Sequence, residues 1–89
     1  MPSDFEIRVD TLAARDLKRL SKTHHPALVR IRKAVDSLQK NPFQGKPLKG
    51  SKEGCRSLRE GDFRIIYEIY RESGIVLLIR VGDRKEVYR

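Results

Sequence analysis

Arg59, Arg64, Arg84 and Tyr88 fall within CRSLREGDFRIIYEIYRESGIVLLIRVGDRKEVYR, the stretch from Cys55 to Arg89. A packed sheet has no need of these side chains. Brought together, three guanidinium groups and a phenol form a cationic pocket suited to a phosphodiester, because arginine presents a planar, permanently charged fork to phosphate oxygens. The competing reading is a solvated sheet edge. There, Arg64 and Arg84 pair with Asp62, Glu60 or Glu86 in weak surface ion pairs. Residue types and spacing leave both readings open.

Other chemistries find little support. One cysteine and two adjacent histidines, His24 and His25, supply no tetrahedral metal set, so no metal site and no cofactor are expected. His24 and His25 read as polar turn residues. Cys55 has no evident general base to activate it and reads as a small, partly buried residue. Gly45-Lys46-Pro47-Leu48-Lys49-Gly50 lacks the spacing and the following helix of a phosphate loop.

The elements that must position the arginines follow from pattern. Phe5, Ile7 and Val9 alternate with polar residues and predict a short strand. Asp10 or Thr11 caps a helix whose inner face is Leu12, Ala13, Leu17 and Leu20. Pro26 opens a second helix with an apolar stripe of Ala27, Leu28, Ile31, Ala34, Val35 and Leu38, ended by Asn41-Pro42. Phe43 to Gly54 reads as a loop. Arg56 to Arg59 reads as a strand and Gly61-Asp62 as a turn. Phe63 to Tyr70 and Ile75 to Val81 form a hairpin about Glu72-Ser73-Gly74. Lys85 to Tyr88 extends the sheet or trails from it.

The order β-α-α-β-β-β predicts an α+β fold: a small twisted, mainly antiparallel sheet with the helix pair on one face. Within Phe63–Tyr70, Phe63, Ile65, Tyr67 and Ile69 should meet the helices. Arg64, Ile66, Glu68 and Tyr70 should face the open side. Hairpin pairing then sets Arg64 at the same sheet end as Arg84.

Composition bounds the rest. Eighty-nine residues make one domain, 1–89, able to bury about 60–65% of its unfolded surface. The net charge of +8, from 20 Lys+Arg against 12 Asp+Glu, favours an anionic partner. Between residues 15 and 40, eight basic residues face two acidic ones, so much of the excess lies in the helical half. A single cysteine, no leader-like start and no apolar run near the ~20 residues of a membrane span predict a cytoplasmic protein without membrane association.

The ordered set resembles the RelE branch of the RelE/ParE toxin superfamily. Arg56-Ser-Leu-Arg59-Glu-Gly-Asp-Phe-Arg64-Ile-Ile-Tyr67 is similar to that family's R-x-R-x-G-x-[YF]-R-h-h-Y block, h being apolar, and Val81-Gly-Asp-Arg84-Lys-Glu-Val-Tyr88 to its closing V-G-x-R-x-x-V-Y. The resemblance spans nearly the whole chain. It implies the toxin of a type II toxin–antitoxin system, a ribosome-dependent mRNA endonuclease held inactive by a cognate antitoxin. It also implies metal-independent attack of a ribose 2′-hydroxyl on the adjacent phosphate. Carried over, Arg64, Arg84 and Tyr88 are catalytic, and Lys49, Lys52, Arg56 and Arg59 bind RNA. The chain departs from the pattern at Ser57, where many relatives carry a basic residue, and at Asp83, where many carry histidine. Arg56, Lys49 or Lys52 would then supply the charge missing at Ser57. Two rival functions share the fold: a ParE-like inhibitor of DNA gyrase, and a non-toxic module that only pairs with an antitoxin.

Overall fold

The computed structural model describes residues 4–50 and 54–83. Strand β1 (Glu6–Val9) leads into helix α1 (Thr11–Thr23) and helix α2 (His25–Ser37). A 3₁₀ turn (Pro42–Gln44) and a two-residue strand β2 (Lys46–Pro47) follow, then β3 (Cys55–Glu60), β4 (Phe63–Tyr70) and β5 (Ile75–Asp83). The strands form one sheet in the order β1-β5-β4-β3-β2. β1 pairs parallel with β5, and every other neighbouring pair is antiparallel. The expected α+β class and helix pair are therefore present. The expected loop at 43–54 differs, because it contains the 3₁₀ turn and β2. Two residues are too few for a periodicity to register. Pro47 is tolerated there because β2 is the outermost strand.

Local chemistry sets the helix ends. The Asp10 carboxylate accepts from the Thr11 N–H at 2.8 Å, and Pro26 occupies the first turn of α2, where a missing N–H costs nothing. Ala27, Leu28, Ile31, Val35 and Leu38 are all buried, as their spacing predicts. The inner face of α1 differs from expectation. Leu12 is half exposed, and the buried line runs Ala13, Asp16, Leu20.

The helices cover one face of the sheet, where Ile65, Tyr67, Val76, Leu78 and Val81 complete the core. Leu78 and Val81 share this face although they are three residues apart. A register shift at Ile66/Tyr67 explains it. Ile66 pairs with Arg80 while Tyr67 pairs with Leu78, so Ile79 is an extra residue in β5 and alternation resumes out of phase beyond it. β1 stops opposite Leu78, so among the described residues the last part of β5 has no strand on that side. Among the described residues, no helix is long and apolar enough to cross a membrane.

Candidate functional site

Strand pairing decides which arginines meet. Arg59 of β3 stands directly opposite Arg64 of β4, so both side chains rise from the sheet face away from the helices. Phe63, Ile65, Tyr67 and Ile69 pack on the helix side, as alternation requires. One row further along, Lys46 of β2 stands opposite Ser57 of β3 on the same face as the arginines. Gln44, Lys46, Leu48, Ser57, Arg59 and Arg64 line a cavity of about 610 Å³.

The electrostatics of this cavity are one-sided. No carboxylate and no histidine is among its described lining residues. Glu60 instead lies 3.5 Å from Arg30 of α2, and Glu68 accepts a hydrogen bond from the Tyr70 hydroxyl at 2.6 Å. That bond to Glu68, followed by burial, raises the Tyr70 pKa above its ordinary value. Arg59 donates from Nε to the Gly61 carbonyl at 3.1 Å. The Arg64 side chain has neither a hydrogen bond nor an ion pair among the described residues. Arg64 thus makes no surface ion pair with Asp62 or Glu60, and Glu86, the third partner of the competing reading, lies outside the described residues.

The remaining expected site residues are placed differently. Arg56 pairs with Tyr67 and sits on the helix side, away from Arg59 and Arg64. Its guanidinium donates to the Gly45 carbonyl at 3.1 Å and the Phe43 carbonyl at 3.0 Å, and lies over the Phe43 ring. It fastens the loop before β2 and does not join the cavity. Lys49 is exposed beyond β2 and does not line the cavity either. Lys52, Arg84 and Tyr88 lie outside the described residues, as does the expected extension at 85–88. The described part of β5 ends at Asp83, opposite Phe63, with Gly82 opposite Arg64.

Three features escaped the sequence reading. Lys46 enters the cavity through a strand with no periodic signal. Tyr67 is fully buried, and its hydroxyl donates to the Pro42 carbonyl at 2.6 Å while accepting from the Gly45 N–H at 3.0 Å. Asp16 binds Arg80 and the Val81 N–H, and here a signal existed: it lies three residues after Ala13 and four before Leu20. His24, expected as a polar turn residue, sets its ring edge-on to Phe63 at 5.5 Å. Among the described residues, no group of three or more His, Cys, Asp or Glu is placed to hold a metal ion.

Residues 7–88 match the model of the ParE toxin of the type II toxin–antitoxin system parDE. The chain belongs to this toxin family. Within it, the toxin is of RelE type. It is 35% identical over 86 residues to Toxin RelG of Mycobacterium tuberculosis, covering 96% of this chain and 97% of that one. Toxin RelE of the same organism is also 35% identical over 86 residues, covering 96% and 87%. Among solved structures, the toxin–antitoxin complex RelBE2 from M. tuberculosis contains a chain that superposes with a TM-score of 0.81 at 31% identity, covering 91% of this toxin and 99% of that chain. YafQ from E. coli, at 20% identity and a TM-score of 0.79 over 96% and 99% of the two chains, shares the fold.

Proposed function

We propose that the toxin is an endoribonuclease that cuts mRNA on the ribosome, with Arg64, Arg84 and Tyr88 at the scissile phosphate and a cognate antitoxin as its inhibitor. The observation that carries this reading is the Arg59–Arg64 pair, set on the sheet face away from the helices in a cavity without a carboxylate among its described lining. The RelBE2 relative is found in a toxin–antitoxin complex, which supports the antitoxin partner.

The chemistry follows from charge. The ribose 2′-oxygen attacks the adjacent phosphorus, forming a 2′-O–P bond as the P–O5′ bond breaks. The products are a 2′,3′-cyclic phosphate and a 5′-hydroxyl. The 2′-hydroxyl proton leaves and a proton reaches the 5′-oxygen. At the midpoint the non-bridging oxygens of the phosphorane carry an extra negative charge. Arg64 and Arg84, permanently charged, favour that state over the ground state. Tyr88 stacks on a base or orients the proton transfer. Lys49, Lys52 and Arg59 hold neighbouring phosphates. The basic helical half meets ribosomal RNA, an association that weakens as salt rises.

The test is cleavage of mRNA in a translating extract by the variants Arg64→Ala and Arg84→Ala. Each is expected to lose about 10²–10³ in rate while remaining folded, the loss typical of removing one donor to a developing oxyanion. Undiminished cleavage by both variants overturns the assignment. The family model's ParE name favours a second reading, inhibition of DNA gyrase. Pulse labelling after induction separates the two. Protein synthesis stops first for the ribonuclease, and DNA replication first for the gyrase inhibitor.

A further inference from the structure

We infer that Lys46 is a further phosphate-binding cation of this site, delivered by β2 to the place beside Ser57. The inference rests on the ribonuclease reading and adds to it a residue from outside the two sequence motifs.

Pairing fixes the position. Lys46 opposite Ser57 and Arg59 opposite Arg64 occupy adjacent rows of one sheet face. Two residues along a strand span about 6.8 Å, a gap that a lysine chain bridges. Lys46, Ser57, Arg59 and Arg64 all line the same cavity. Ser57 is small and buried, so β3 itself contributes no charge at this row. Lys46 is exposed and has no ion-pair partner among the described residues.

A two-residue strand holds nothing still by its own ladder, yet the residue before Lys46 is clamped from below. The Gly45 N–H donates to the Tyr67 hydroxyl at 3.0 Å, and its carbonyl accepts from Arg56 Nε at 3.1 Å. Both clamping side chains come from the helix side of the sheet, whereas Lys46 faces the other way. The approach is close enough to require glycine. A Cβ at position 45 would stand 2.6 Å from the Tyr67 hydroxyl and 2.9 Å from the Ser57 carbonyl. A lysine on an outer strand also deters edge-to-edge aggregation. That role explains the charge, but not a buried clamp behind it, nor a cavity shared with two arginines.

The probe is a ribosome programmed with an mRNA, either cleavable or blocked by 2′-O-methyl groups at the scissile nucleotides. Lys46→Ala is expected to slow cleavage roughly tenfold to a hundredfold, the range for a hydrogen bond to a charged group. Lys46→Arg is expected to keep most of the activity. On the blocked mRNA, Lys46→Ala should flatten the slope of log affinity against log salt by about 0.7, the share of one phosphate contact to a single strand. Wild-type cleavage and an unchanged slope in Lys46→Ala, with Arg64→Ala inactive, overturn the role of Lys46 alone. Aggregation of Lys46→Ala without a change in slope likewise assigns the lysine to edge protection. Full cleavage by Arg64→Ala instead removes the ribonuclease site on which the inference rests.

Discussion

Arg59 and Arg64 face each other across the β3–β4 pair, with no carboxylate among the described residues of the cavity they share. Like charges directly opposite in a sheet are destabilising by a few tenths of a kcal/mol to about 1 kcal/mol. The fold therefore tolerates an arrangement that stability alone disfavours. Replacing Arg59 by threonine, a good strand former, should stabilise the toxin by about 0.5 kcal/mol, or about 2–4 °C in melting temperature. The same variant should cleave mRNA more slowly. The stability gain should shrink in high salt, since the repulsion is screened. Calorimetry at two salt concentrations measures both effects, and a lower melting temperature at low salt would refute the repulsion.

Asp16 completes an edge that β1 leaves unfinished. β1 ends opposite Leu78, and three residues further on the Val81 N–H donates to Asp16 Oδ2 at 2.9 Å. Arg80 Nε donates to the same oxygen at 2.8 Å, and its second nitrogen to Oδ1 at 3.2 Å. Arg19 adds a longer contact at 3.4 Å. The carboxylate is almost fully buried while Arg80 keeps about a fifth of its exposure, so its loss removes a buried charge from Arg80 and strands the Val81 backbone donor. Asp16→Ala should cost about 3 kcal/mol, the lower end for breaking a buried pair. Against the 5–15 kcal/mol of a typical domain that is a large fraction. Urea unfolding checks it, and a loss under 1 kcal/mol would place the pair among ordinary surface contacts.

Tyr67 does two jobs with one side chain. Its ring fills the core and its hydroxyl satisfies the Pro42 carbonyl and the Gly45 N–H. Tyr67→Phe keeps the ring and strands both backbone groups, a loss of about 1–3 kcal/mol. Hydrogen exchange should rise at Gly45 and across β2 more than in β4 or β5. Uniform exchange throughout the sheet would mean that Tyr67 supports the core generally and does not hold this loop in particular.

The architecture was readable because most of it is written in periodicity. The stripe from Ala27 to Leu38 and the alternation from Phe63 to Tyr70 each fill several turns or repeats, so the buried face is over-determined. Arg64 on the face away from the helices followed from that alternation alone. The misses occur where one residue acts through a distant partner. Nothing near Lys46 announces that β3 will accept a two-residue strand. Arg56 looks like its neighbour Arg59, yet odd and even positions of a strand point to opposite faces, and here the difference separates a loop fastener from a cavity residue. Asp16 passed for one acid in a basic helix, although its place between Ala13 and Leu20 put it on the buried line. The bulge at Ile79 was equally silent, because β5 is almost continuously apolar and either phase satisfies its composition.

Tyr70 offers a spectroscopic handle on the face away from the helices. Its hydroxyl donates to Glu68, so ionising the phenol would break that bond and set two negative charges together. Its pKa is therefore raised above the ordinary value near 10. The sign for stability follows. The folded state favours the protonated phenol, so the contribution is present below the unfolded pKa and is lost as pH rises through the folded one. In an ultraviolet titration of the folded toxin, the Tyr70 phase should fall above the ordinary tyrosine value near 10. It can be assigned among the three tyrosines by its absence from Tyr70→Phe. Glu68→Gln removes the charge but keeps a side chain of the same length, and should move that phase down toward the ordinary value. An unchanged midpoint in Glu68→Gln would show that the carboxylate does not govern this phenol.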